Sequence, residues 1–370
     1  MQNSLTSGSV LKSILRFSLP YLLSYFLQTL YGMADLFLIG RYGGVDGTTA
    51  VSIGSQVMHM LTVMIVGLAM GATVMIGQAV GAQNRARANR YIGNAITLFA
   101  GTAALLTLTM LSLSGAVVRL MSTPAAAQAG TEAYLRICFA GLPFIIAYNV
   151  ISAIFRGMGD SKSPMYFIAA ACVANIGLDI LFMGPLALGP AGAALGTTLS
   201  QAFSVVLSLI VVVRRRMLPD LSAAHLRPQR EILGDMVKIG VPVALQDGFI
   251  QVSFLAITVF ANLRGLNDAA AVGIVEKIIG ILFLVPSTML STVSALAAQN
   301  IGAGKPQRAR EVMRDAIFIA AGVGLVLAVA TQFCAVGLVG LFTESDTVAL
   351  MGSQYLRSYV WDCLLAGIHF

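Results

Sequence analysis

Long, uninterrupted apolar runs constrain this chain more than any other feature. They lie at about 14–40, 52–80, 91–118, 133–155, 164–185, 191–213, 236–262, 269–299 and 313–342, with a further run from about 352 to 370. Each complete run reaches the ~20 residues that an α-helix needs to cross a bilayer core. Membrane strands would instead read as ~10-residue segments of alternating polarity. Of the 370 residues, 57% are hydrophobic and 11% charged, against about a quarter charged in a soluble domain. The expected fold class is therefore all-α: a polytopic membrane protein with about 9.5 transmembrane helices in these residues. The stretch from Met1 to Lys12 is polar and gives no sign of a removable signal peptide.

Charge supplies the orientation. The net charge is +7, but the basic residues sit in short clusters between apolar runs, which argues for topology rather than nucleic acid. With the amino terminus placed in the cytoplasm, the clusters at 85–90, 156–162, 214–230 and 305–314 all fall on the cytoplasmic side. The opposite side receives only Arg41, Arg119, Arg136, Arg264 and Arg357, and Lys277 lies within a run. That asymmetry is the positive-inside pattern of a plasma (inner) membrane protein. Cys138, Cys172, Cys334 and Cys363 are widely spaced within apolar runs, and the histidines are scattered, so no disulfide or metal framework is expected.

The chain also repeats itself. Gln78 and Gly81 recur as Gln299 and Gly302, each pair followed by an Arg-Ala-Arg turn (Arg85 to Arg87, Arg308 to Arg310). Tyr134-Leu135-Arg136 recurs as Tyr355-Leu356-Arg357 at the same offset (355 − 134 = 221). Pro20 matches Pro242 with a one-residue indel. An even number of helices per repeat makes the two halves parallel, related about the membrane normal. The expected organisation is a six-helix lobe over 1–214, a cytoplasmic linker over 215–235 and a carboxy-terminal lobe over 236–370. Twelve spans would complete the second repeat (about two and a half more). Phe370 corresponds to Asn149, in mid-span. The expectation is a truncated chain, inactive in its 370-residue form.

Charged side chains inside the runs are the sharpest functional clue. A carboxylate at mid-bilayer costs about 2.5–3.5 kcal/mol on insertion scales, so one that is present marks function. Asp35 lies in the first run, with Tyr31 one turn earlier; Asp179 lies in the fifth, with Asn175 one turn earlier. Counting back from the Arg41-Tyr42-Gly43-Gly44 and Gly184-Pro185 turns puts both aspartates about 10 Å below the same membrane face. Thr197, in the returning sixth run, is nine residues past Leu188, as Asp179 is nine before it. Tyr31, Asp35, Asn175, Asp179 and Thr197 are thus expected to converge. Two carboxylates in a low dielectric repel, and H⁺ or Na⁺ would relieve the repulsion.

Several patterns together resemble the MATE family of drug/cation antiporters: Ala34-Asp35-Leu36-Phe37-Leu38-Ile39-Gly40-Arg41, Gln78-Ala79-Val80-Gly81-Ala82, Arg156-Gly157-Met158-Gly159-Asp160-Ser161-Lys162-Ser163-Pro164 and Gly192-Ala193-Ala194-Leu195-Gly196-Thr197. The resemblance covers essentially the whole chain and is nearest the DinF-type branch. It implies two lobes forming a V, alternating access, and export of small, cationic organic compounds against inward H⁺ or Na⁺. It further implies an Asp, Asn, Asp, Thr cation site at Asp35, Asn175, Asp179 and Thr197. No ATPase motif is present and no further cofactor or metal is expected, only the coupling ion; the protein would be a monomer and not an enzyme. In the second half Asp247 and Glu276 are candidate coupling groups. Gln251 stands where NorM-type relatives are expected to carry a glutamate. Met58, Met64 and Gln56 are candidates for the substrate cavity, since adaptable thioethers suit promiscuous binding. Gly67 and Gly71, like Gly192 and Gly196, have the spacing of close helix packing, and His59 is a span histidine with a packing role. Two alternatives stand beside this reading. A lipid-linked oligosaccharide flippase of the same superfold would need several arginines inside the spans; a polytopic acyltransferase would need His/Asp or His/Glu clusters at a membrane face.

Overall fold

A computed structural model describes residues 5–218, 220–343 and 345–369, apart from the side chains of Asn262, Leu266 and His369. Phe370, and with it the Asn149 correspondence, lies outside the described residues, as do residues 1–4 of the polar amino terminus. Among the described residues the secondary structure is helical throughout, with no strand.

In the first half, the long helices are α1 (Val10–Tyr42), α2 (Gly44–Gly81), α3 (Arg85–Leu120), α6 (Lys162–Met183) and α7 (Gly189–Arg214). The fourth apolar run is two helices, α4 (Ala125–Ala140) and α5 (Leu142–Gly157), bent by 48°. Pro143 is the cause: it has no N–H to donate, and its ring collides with the carbonyl one turn back. The second half comprises α8 (Arg230–Arg264), α9 (Leu266–Leu282), α10 (Leu284–Gly302), α11 (Pro306–Gly340), α12 (Asp346–Tyr359) and α13 (Trp361–His369). The run expected at 269–299 is interrupted only at Phe283, between α9 and α10 and three residues before Pro286, and remains one span over Asn267–Gly302. Among the described residues, eight helical segments are long and apolar enough to cross a membrane, or nine when the bent α4–α5 pair counts as one. The run beginning near 352 is divided between α12 and α13.

Helix boundaries carry the repeat as clearly as the motifs do. Helices α2 and α10 end at Gly81 and Gly302 (302 − 81 = 221), and α3 and α11 begin at Arg85 and Pro306 (306 − 85 = 221). The same offset relates the starts of α4 and α12, Ala125 and Asp346. The two motif glycines meet across the halves. A Cβ on Gly81 would overlap the carbonyl oxygen of Gln299, and one on Gly302 that of Gln78. The reciprocal contact is what a pseudo-twofold axis between parallel repeats produces. Farther along α2, Gly71 faces the Met236 carbonyl and Gly67 faces the backbone of Ala244, so this small-residue stripe seats α2 against α8.

One connection departs from its expected boundary. Helix α8 starts at Arg230, which shortens the connection between the halves to 215–229. This segment is docked on α3: Asn94 donates to the His225 carbonyl (3.3 Å) and accepts from the Gln229 amide (2.7 Å), and Thr97 donates to Leu226 (2.6 Å). Tyr91 donates to Asp235 at 3.0 Å just beyond it. The start of α1 packs on the second half, where Leu5, Val10, Ile14 and Phe17 join Leu296, Val312 and Ala316 in one apolar cluster.

Candidate functional site

Helices α1, α6 and α7 form the polar centre of the first half. Small residues on α7 let α6 approach closely. A Cβ at Gly196 would coincide with Asp179 Oδ1, and one at Gly192 would lie 3.1 Å from the Phe182 backbone. Gly196 is therefore the residue that gives the Asp179 carboxylate its room. Thr197, next along α7, donates its hydroxyl to Asp35 Oδ2 at 3.1 Å. Asn175 and Asp179 approach the same Asp35 carboxyl from α6. Relative exposure is 5% for Asp35, 1% for Asn175 and 0% for Asp179, while Thr197 is half-buried.

This pocket is short of hydrogen bonds. Asp35 Oδ1, both carboxyl oxygens of Asp179 and both side-chain amide atoms of Asn175 have no hydrogen-bond partner among the described residues. Buried polar atoms are ordinarily paired, because leaving one unpaired costs about 1–3 kcal/mol and more if it is charged. Five such atoms in one pocket fit a place that a proton or a small hard cation completes. The carboxylate, amide and hydroxyl oxygens present are the donor types that Na⁺ takes, and no softer ligand stands among them. Among the described residues no three His, Cys, Asp or Glu side chains group as a transition-metal site would require.

Tyr31 borders the cluster, its hydroxyl facing Gln201 and lying within electrostatic reach of Asp35. Gln201 is a residue the sequence reading missed. It is 6% exposed with an unpartnered Oε1, and sits one turn past Thr197 on the same face of α7. That spacing, a polar side chain four residues after a hydroxyl within an apolar run, was the available signal. Tyr134 and Cys138 of α4 and Cys172 of α6 lie within electrostatic reach of Asp35.

The second-half candidates lie in different surroundings. Asp247 sits where α8 crosses α2, its Oδ2 3.0 Å from where a Cβ on Gly67 would be, and Gln251 lies one turn farther along α8. Glu276 of α9 turns instead into its own half, accepting a hydrogen bond from Thr258 at 2.9 Å close to Tyr355 and Tyr359. Lys277, its neighbour in sequence, faces the other way, within electrostatic reach of His59 on α2. The structure therefore does not assemble Asp247, Gln251 and Glu276 as it assembles the first-half cluster.

Of the cavity candidates, Gln56 is exposed, three residues before His59 on the same face of α2. Met64 packs against Gly248, its Sδ 3.5 Å from where a Cβ there would be. Met58 faces no open cavity: it is 7% exposed and belongs to the apolar core of the first half, with Val51, Ile65 and Leu135. Its position on α2 points inward to α4, a distinction that methionine content alone does not carry.

The MatE family model matches residues 20–181 and 242–370. The chain is 30% identical over 365 residues to the probable multidrug resistance protein YpnP of Bacillus subtilis, covering 99% of this chain and 82% of that one. It is 29% identical over 367 residues to YoeA, a probable multidrug resistance protein of the same organism, covering 97% of this chain and 79% of that one. The multidrug export protein MepA of Staphylococcus aureus is 25% identical over 365 residues, covering 98% of this chain and 80% of that one. Among solved structures, the outward-facing conformation of a multidrug resistance MATE family transporter superposes with a TM-score of 0.89 at 24% identity, over 98% of this chain and 81% of that one.

Proposed function

This chain belongs to the MatE family of multidrug efflux transporters, and from that membership we propose that it exports small organic cations in exchange for H⁺ or Na⁺ taken up at Asp35, Asn175, Asp179 and Thr197. One observation carries the proposal: the five unpartnered polar atoms gathered around the Thr197–Asp35 hydrogen bond. A pair of ionised carboxylates enclosed together is unfavourable twice, through lost hydration and through mutual repulsion. Binding a cation relieves both. Losing it restores a charged pocket that favours a different packing of α1 against α6 and α7. Tyr31 and Gln201 flank the pair and supply a hydroxyl and an amide to relay or orient.

Alternating access follows from placing this site in one half while both halves border the substrate path. The close α2–α8 and α2–α10 contacts lie towards the ends of α2 and α10 that carry the basic turns. With the amino terminus in the cytoplasm of a cell whose inner membrane holds the protein, those contacts close the inner side. A monovalent cation leaving cancels the charge of one H⁺ or Na⁺ entering, so in one-for-one exchange the concentration gradient of the entering ion is the drive, about 1.4 kcal/mol, or tenfold in substrate concentration, per decade. In this reading Asp247 and Glu276 have secondary parts, the former at the lobe contact and the latter bracing Thr258.

Ethidium accumulation in efflux-deficient bacteria tests the reading, with the form that carries both complete six-helix repeats and its Asp35→Asn variant compared at matched membrane abundance. The proposal expects lowered accumulation with the unsubstituted protein and no lowering with the variant. Equal export by both would move coupling away from Asp35.

A further inference from the structure

A second polar site lies away from the aspartate pair, around an arginine that sequence reasoning assigned to a loop. Arg156 ends α5 within the Arg156-Gly157-Met158-Gly159-Asp160 segment, yet its relative exposure is 7%. Its guanidinium stacks over the Tyr21 ring of α1 at 5.1 Å. None of the four ion pairs among the described residues includes it. Asp160, four residues on, is occupied elsewhere: it accepts from the Lys162 and Ser163 amides and pairs with Arg215. An aromatic face offsets only a small part of what removing a guanidinium from water costs. A buried cation of this kind calls for an anion.

The surrounding pocket has the chemistry to hold one. Arg156, Tyr21, Tyr25, Gln28, Tyr148 and Asn149 line a small cavity between α1, α2 and α5. The lining offers guanidinium, phenol and amide donors and contains no carboxylate. Four of the lining donors are already engaged: Asn149 donates to the Ile145 carbonyl at 2.8 Å, Tyr148 to the Pro164 carbonyl at 3.4 Å, Ser24 to the Pro20 carbonyl at 3.0 Å and Tyr21 to the Tyr25 hydroxyl at 3.5 Å. Arg156 and Gln28 make no side-chain hydrogen bond within the described protein and remain to donate. The cavity holds about 20 Å³, room for about one water-sized particle. That space is the size of one water molecule or one small ion.

We propose that the Arg156 pocket is a chloride-sized anion site that ties α1 to α5. Bound anion neutralises the guanidinium and is held by donors from both helices, so occupancy stabilises their packing. The test is the unfolding midpoint of the purified protein in sodium chloride against sodium gluconate at equal ionic strength, with bromide, phosphate and phosphatidylglycerol vesicles as further arms. Chloride and bromide should raise the midpoint by about 2–4 °C relative to gluconate. Arg156→Gln should abolish the rise. Gln28→Leu, which leaves the charge in place, should require several-fold more chloride for the same effect and serves if Arg156→Gln does not fold. A wild-type midpoint equal in chloride and gluconate overturns the proposal. So does a chloride response that persists unchanged in Arg156→Gln or Gln28→Leu. Stabilisation by phosphate or by phosphatidylglycerol with none by chloride overturns it as well.

Discussion

Replacing Gly302 with alanine should loosen the contact between the two halves. An ideal Cβ at this position overlaps the Gln78 carbonyl oxygen and lies 2.7 Å from the carbonyl carbon and 2.8 Å from Cα. All three atoms are backbone, so no rotamer change clears them. Ordinary contact begins near 3.4 Å, so α2 and α10 must part by at least about 0.7 Å, and overpacking of this kind costs about 1–3 kcal/mol. Charged to the closed contact alone, that cost shifts a two-state equilibrium by roughly 5- to 150-fold. Spin labels at Ala86→Cys and Gln307→Cys, in a background without the native cysteines, report the distance between the exposed basic turns beyond α2 and α10. A longer-distance population should grow with Gly302→Ala and equally with Gly81→Ala, whose Cβ meets the symmetry-related Gln299 carbonyl. Gly77→Ala is the control, since its Cβ would lie 3.1 Å from the Ala298 Cβ, a milder encounter. Unchanged distances in both motif variants, or a Gly77→Ala effect as large as theirs, would refute the reasoning.

Three further outcomes are expected. Gly196→Ala should mimic loss of the coupling site without touching a carboxylate, because the added methyl displaces Asp179 from Asp35; ethidium efflux should fall while membrane abundance stays within twofold. Asn94→Ala removes two hydrogen bonds to the segment joining the halves, about 1–3 kcal/mol of local docking, and should speed tryptic cleavage around Arg227 with little change in the global unfolding midpoint. Met58→Ala should destabilise by about 2–5 kcal/mol as a core truncation, measured by denaturant unfolding, and leave the relative export of different dyes unaltered.

The repeat was legible in the sequence because turn chemistry is local: Gly81 and Gly302, with their basic turns, end helices whether or not the rest is known. The prolines were equally visible, but their consequences were not drawn. Pro143 bends a run that hydropathy reads as a single straight span, since a window average does not register one missing N–H. The grouping of Asp35, Asn175, Asp179 and Thr197 was accessible from depth counting along antiparallel helices. Gln201 escaped because amides in apolar runs carry no charge signal. Helix rotation was the larger gap. Sequence spacing places Met58, Met64 and Gln56 on one helix but does not say which faces the core, and that is settled by Tyr134 packing against Gly54 of α2. Arg156 was misjudged for a related reason. Being basic and near a turn, it was counted with the loop charges, whereas α5 continues through it and carries it under Tyr21.

The most direct measurement is infrared difference spectroscopy of carboxyl protonation on the purified protein, taken on acidification with Na⁺ absent and then present. The account predicts a buried-carboxyl signal in wild type that Asp35→Asn and Asp179→Asn each alter or remove, and that Na⁺ suppresses if Na⁺ is the coupling ion. A signal identical in wild type and both variants would contradict the claim that this pair takes up the coupling cation.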